Sequence, residues 1–271
     1  MKNTRYLLLV PALALLAACE INDGYNKEHP EPITDTTVIP PKDNSSLHVG
    51  SVTDCEENTY PLVKIGDQIW MAENLRCTKY DTESEKAGQH IFTTQAEQGA
   101  PYYIDPFEIT DEFSENLVQY HRNKLGYLYN WSAAMGLTSA EAEKMDIEAD
   151  EPRQGLCPNG YHLPTQAEWH ELLDAVGGEQ QAAIKLKATT GWYVGDAYHE
   201  GGTDDYGFEA LPAGYAQGPL IGHLGVDTRF WTATPYGYTY ANQIYLQYYP
   251  EGSLDMISGK THAVSVRCIK N

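Results

Sequence analysis

Between Thr165 and Gly178 the chain carries its clearest hydrophobic period. Trp169, Leu172, Leu173 and Val176 fall at i, i+3, i+4 and i+7, one apolar stripe on a short amphipathic helix. Thr165 and Glu168 have the spacing of a capping box: the threonine oxygen accepts from the Glu168 N–H, and the glutamate reaches back to the Thr165 N–H. Pro164 keeps the preceding chain extended. Gly177-Gly178 then supplies a left-handed exit without a Cβ. Glu179–Lys187 adds another helical turn or two.

Elsewhere the pattern is that of strands. Val63, Ile65, Ile69, Trp70 and Met71 flank Gly66-Asp67-Gln68, which reads as a tight hairpin. Past the helix come short runs separated by glycine: Phe208–Leu211, Ala213–Tyr215, Arg229–Ala233, Tyr240–Tyr248 and Ala263–Ile269. In the last, Val264, Val266 and Cys268 alternate with Ser265 and Arg267, which predicts one face in and one out. Leu125–Met135 reads as a short helix or strand-to-helix turn carrying Trp131. Asp81–Leu117 and Thr138–Gln154 are polar, acidic excursions, the first a surface insertion around Pro101-Tyr102-Tyr103. The order of elements predicts an α+β fold, with one or two helices packed on short antiparallel strands.

The N-terminus stands apart from this body. In Met1–Ala18, Lys2 and Arg5 precede an apolar run too short to span a bilayer comfortably. It ends in Leu16-Ala17-Ala18-Cys19, which looks like a bacterial lipobox, with cleavage before Cys19 and lipid on the new N-terminus. Several acyl chains on one residue give stable anchoring, at roughly 0.8 kcal/mol per buried CH2. Residues 19–46 hold Pro30, Pro32, Pro40 and Pro41 among polar residues without an apolar period, the composition of a disordered tether. The folded body is then expected over residues 47–271, held to an outer membrane on its periplasmic or cell-surface face. Glu20-Ile21-Asn22-Asp23 matches known surface-export signals poorly, so it does not choose between the two.

Charge and cysteines narrow the classes further. The formal charge of −20, with no basic stripe to offset it, opposes binding to nucleic acid or to an anionic bilayer surface. Beyond Cys19, four cysteines remain in an oxidising compartment, and they allow three pairings. The favoured one joins Cys55 to Cys77 around a local hairpin and Cys157 to Cys268, from the start of the helix to the last strand. A zinc site is the rival, but no C-x-x-C spacing supports it.

A series of motifs then runs in order along the body: Val63-Lys64-Ile65-Gly66-Asp67-Gln68, Trp70-Met71-Ala72-Glu73-Asn74-Leu75, Leu128-Tyr129-Asn130-Trp131, Leu156-Cys157-Pro158, His162-Leu163-Pro164-Thr165, Glu168-Trp169, Gly207-Phe208, Ala210-Leu211-Pro212-Ala213-Gly214-Tyr215, Phe230-Trp231-Thr232 and Ser265-Val266-Arg267-Cys268. Together they resemble the Fibrobacter succinogenes major paralogous domain of lipoproteins and surface proteins in Bacteroidetes and Fibrobacteres. Cys77, the two acidic insertions and Pro235 depart from that pattern. The resemblance implies a fold similar to C-type lectin-like domains and to formylglycine-generating enzymes. It implies no activity, because the family has none established.

Each enzyme reading meets an objection in the residues. A copper-dependent cysteine oxidase needs two spare thiols, and all four cysteines have structural assignments. No Gly-x-Ser-x-Gly or His-Glu-x-x-His is present. His162 and His170 read as capping and surface residues, and Glu73 and Asn74 as partners of nearby backbone. Calcium-dependent lectin motifs are missing too, and Asp204-Asp205 with Glu209 reads as a solvated loop before a cation site. The expectation is therefore a non-enzyme without metal or cofactor.

What remains is aromatic surface. The chain has 20 tyrosines against 5 phenylalanines, bunched in Tyr236–Tyr249. If that segment is extended, Tyr236, Tyr238 and Tyr240 share one face, with Tyr245 and Tyr249 on the other. A groove lined by Asn242 and Gln243 beside those rings would suit a glycan or protein ligand. A long exposed edge strand would instead mark a structural, adhesin or assembly subunit.

Overall fold

The hairpin expected around Gly66-Asp67 forms, and the last strand of the chain closes onto it. The structure is a computed structural model, and it describes residues 40–84, 86, 89, 91, 100–109, 123–146, 151–192, 201–218, 220–247 and 253–271. β2 (Thr59–Ile65) and β3 (Gln68–Met71) pair through Ile65 and Gln68. β13 (Ile269–Lys270) lies between β3 and β6 (Tyr161–His162), and β1 (His48–Thr53) is the outer strand beside β2. A second sheet runs in the order β11-β10-β9, built from β9 (Asp227–Tyr236), β10 (Tyr240–Gln247) and β11 (Ser253–Gly259). The third joins β4 (Tyr103–Ile104), β5 (Leu128–Asn130), β12 (Ala263–Val264), β7 (Tyr215–Gln217) and β8 (Leu220–Gly222) in that order. Pairing between these strands is antiparallel throughout.

Five α-helices accompany the sheets among the described residues. α1 (Pro106–Ile109), α2 (Trp131–Met135) and α3 (Ser139–Ala142) are one turn or little more. α4 (Gln166–Ala175) and α5 (Glu179–Leu186) are the longer pair. The fold is α+β, as the hydrophobic pattern implies.

α4 starts and stops where its sequence signals lie. Thr165 Oγ1 accepts from the Glu168 N–H, and Glu168 Oε2 accepts from the Thr165 N–H at 2.8 Å. Gly177 and Gly178 leave the helix at φ +106° and +87°. Trp169, Leu172, Leu173 and Val176 are buried. Trp169 packs against Trp70 at 4.7 Å and stacks on Phe230 at 5.2 Å; truncating a buried ring of this size to alanine costs about 3–5 kcal/mol. β9 grips the start of the helix, with the Ala233 N–H donating to Pro164 O at 2.7 Å and Thr234 Oγ1 accepting from the Gln166 N–H at 2.9 Å.

The C-terminal run departs from its expected alternation. Ser265 and Arg267, placed outward by periodicity, are as buried as Val264, Val266 and Cys268. The run is also not one strand: β12 belongs to the third sheet and β13 to the first. Between them, Arg267 is held by polar groups from distant parts of the chain. Its Nε donates to Asn74 Oδ1 at 2.8 Å, its Nη1 to Met71 O at 3.1 Å and to Phe208 O, and its Nη2 to Glu209 O at 3.0 Å. The guanidinium lies over Phe208 at 4.5 Å. Burial lowers its pKa to about 10, so it stays charged at neutral pH.

The body also takes in part of the expected tether. Lys42 N donates to Thr189 Oγ1 at 3.1 Å, and the Asn44 amide is buried against Asp204.

One expected disulfide forms and the other does not. Cys157 and Cys268 are bridged, with Cα atoms 5.8 Å apart. Cys55 and Cys77 are free thiols. The reason is local: Cys77 is fully buried and its thiol donates to Leu156 O at 3.5 Å, while the Cys55 thiol turns to Lys79 O and Tyr80 O. Alkylation of the denatured, unreduced protein should therefore label Cys55 and Cys77 and leave a Cys157–Cys268 cross-linked peptide. A Cys55–Cys77 cross-linked peptide would contradict this. Reducing the bridge, which spans 111 residues, should cost about 2–5 kcal/mol of stability.

Candidate functional site

Tyr236, Tyr238 and Tyr240 lie at a hairpin tip, not along one extended strand. The turn Gly237-Tyr238-Thr239 reverses the chain, with Gly237 at φ +75°, a conformation glycine adopts without steric cost. Tyr236 and Tyr240 become direct cross-strand partners, and Tyr238 sits in the turn between them. The three side chains are 48%, 60% and 49% exposed. Ile257 on β11, diagonal to Tyr240, is 47% exposed and widens the apolar surface. Tyr245 is half-buried farther along β10, with the Arg229 guanidinium 5.2 Å from its ring. Tyr248 and Tyr249 fall outside the described residues.

The expected groove does not form, because Asn242 and Gln243 are buried. β9 bulges opposite Asn242, which plugs the bulge: its Nδ2 donates to Thr234 O and Pro235 O, both at 3.4 Å. Gln243 is fully buried opposite Trp231, and neither amide atom has a partner among the described residues. The surface is a knob of aromatic rings.

The other candidates are tied up internally. Asp204 Oδ1 accepts from the Glu209 N–H at 2.9 Å, and Oδ2 accepts from Asn44 Nδ2 at 2.5 Å. Burial raises the Asp204 pKa to about 6. The Glu209 carboxylate pairs with Lys124 at 2.8 Å. His162 bonds Glu168 at 2.9 Å and Asn271 at 2.7 Å, and His170 bonds Asp255. Burial alone would lower the His162 pKa, but its bonds to Glu168 and Asn271 outweigh that and raise it. Asn74 reaches farther than nearby backbone: its Nδ2 donates to Leu125 O at 2.8 Å and to Ser265 Oγ at 3.2 Å. Among the described residues, no three His, Cys, Asp or Glu side chains converge on a metal-sized site.

The free thiols change one argument from the sequence, which had assigned every cysteine to a bridge. Cys55 and Cys77 are available as thiols, yet burial raises both pKa values, Cys77 well above the ordinary range. Cysteines that act as nucleophiles or metal ligands have their thiolate stabilised instead.

Sequence reasoning missed two features here. The Arg229 guanidinium lies 3.7 Å from the Tyr215 ring centroid and bonds Asp227, a fully buried carboxylate that also binds His223 at 2.6 Å; no short motif marks this cluster. Thr138 and Glu141 form a second capping box, whose Thr-x-x-Glu spacing is readable inside the acidic run.

No curated protein and no solved structure matches the chain. The sequence profile of the Fibrobacter succinogenes major domain does match it over residues 63–270. That span begins in β2, ends in β13 and includes Arg267, the bridged cysteines and the tyrosine hairpin. The chain therefore belongs to the Fibrobacter succinogenes major domain family.

Proposed function

We propose that this chain is a non-catalytic binding lipoprotein of the cell envelope, anchored through Cys19 and docking a protein partner by its Tyr236–Tyr240 hairpin. The carrying observation is the exposure of three tyrosines on one tip, at 48%, 60% and 49%. Exposed rings without a groove suit a partner that supplies the pocket, and tyrosine is enriched at such contacts. A C-type lectin-like body fits this reading. It is supported by a last strand inserted between β3 and β6 and by a bridge from the region before α4 to that strand.

Assembly through an open sheet edge has less support. β1 is an outer strand, but its pairing with β2 shifts register between His48 and Gly50. Such an irregularity blunts an edge against strand addition.

Two experiments test the reading. With a photo-crosslinking residue in place of Tyr238, in living cells, a discrete protein adduct should form that is absent when the residue replaces exposed Asp67. No adduct, or the same adduct from both positions, would count against the hairpin. Alanine at each tyrosine should weaken that partner by about 1–3 kcal/mol for the dominant rings and change stability by no more than about 0.5 kcal/mol. A large loss of stability would make them packing residues. For the anchor, intact mass of the membrane-extracted protein should show lipid on Cys19, and an unmodified Cys19 would remove that part.

A further inference from the structure

We infer a second binding site, independent of the tyrosine hairpin, in a cavity of about 110 Å³ lined by Arg76, Asp105, Phe107, Asn123, Gly126 and Tyr127; its chemistry fits a neutral sugar. Two aromatic residues, Phe107 and Tyr127, line the cavity together with a guanidinium, a carboxylate and an amide. A pyranose offers the matching pair of surfaces, an apolar C–H face for a ring and hydroxyls that both donate and accept.

The walls are held in place before any ligand arrives. Arg76 is fixed by Glu73 at 3.0 Å, by Thr59 O at 3.0 Å and by stacking 4.5 Å over the Tyr60 ring. The Tyr127 N–H donates to Leu75 O at 3.0 Å, and its half-buried ring lies 4.9 Å from that of Tyr103. Asp105 Oδ1 accepts from the Phe107 N–H at 2.9 Å. At Gly126, φ is +72° and a Cβ would come within 2.6 Å of Asn74 Cβ and Leu75 O. Only glycine lets the chain pass that close to Asn74 and still present Tyr127.

Charge and size restrict the ligand further. The Arg76 charge is already paired with Glu73, and Asp105 lines the same cavity, so among the described lining residues an anionic ligand meets no free cation. The volume lies below the roughly 300 Å³ at which drug-sized pockets begin. It takes a single terminal ring or part of one, not a chain.

Saturation-transfer NMR on the full-length protein tests this, with methyl β-D-glucoside, methyl β-D-galactoside and methyl β-D-glucuronide as probes. At least one neutral glycoside should receive saturation, strongest at its C–H face, and more strongly than the glucuronide. Tyr127→Ala should reduce the signal by about fivefold, Asn123→Ala should also weaken it, and Tyr127→Phe should preserve it. Asn123 is exposed, so its variant keeps the test sound if Tyr127→Ala fails to fold. Tyr238→Ala should leave the signal unchanged, which separates this site from the hairpin. The inference is overturned if no neutral glycoside receives saturation, if the glucuronide receives more, or if loss of Asn123 and of the Tyr127 ring changes nothing.

Discussion

A fully buried guanidinium, Arg267, holds the body together. Its direct partners are an amide and carbonyls, drawn from Met71–Asn74 at one end of the chain and Phe208–Glu209 far along it. Asn74 extends the network to Leu125 O and Ser265 Oγ. Burying a charge costs several kcal/mol, and here that cost is offset in three ways. Each bond from a charged donor contributes about 1.5–3 kcal/mol. The rings of Phe208 and Phe230 lie against the cation. The carboxylates of Glu209, Glu73 and Asp204 favour its charged form from farther away.

Two buried lysines repeat the arrangement. Lys260 Nζ donates to Ala142 O and Met145 O and lies 4.4 Å from the centroid of the Trp131 ring. Lys187 Nζ donates to Gln247 O and lies 4.8 Å from that of Trp192. Burial lowers both pKa values to about 8. In a chain of net charge −20, these cations serve the interior, where they donate to backbone carbonyls of Ala142, Met145 and Gln247. The interior chemistry is thereby committed to the fold. The two surfaces proposed for recognition lie apart from these cations, at the exposed tyrosines of the hairpin and at the small mixed cavity.

Local signals were legible and long-range ones were not. The α4 capping box, its apolar stripe and its glycine exit all act within a few residues, so spacing alone revealed them. The Cys157–Cys268 bridge followed from placing one cysteine beside the helix and the other on the last strand. Arg267 was misread because a charge on an alternating strand looks outward. Its burial depends on Asn74 and on carbonyls that no local window contains. Cys55 and Cys77 looked paired by proximity, yet each thiol is drawn to a different backbone carbonyl. Among the candidate site residues, the bunching of Tyr236, Tyr238 and Tyr240 was legible, but whether their rings packed on the sheet or stood exposed was not, and the single extended face expected for them gives way to a hairpin tip. The Gly237 turn and the bulge opposite Asn242 rearrange that segment, and the bulged residues Ala233 and Thr234 are the ones that bond the start of α4.

Equilibrium urea unfolding of Arg267→Met tests the central claim most directly. Methionine fills part of the space but leaves Asn74 Oδ1 and the Met71, Phe208 and Glu209 carbonyls without their donor. If Arg267 is the lock, stability should fall by about 3–5 kcal/mol in a single transition. A loss below about 1 kcal/mol would show that the body is held together elsewhere.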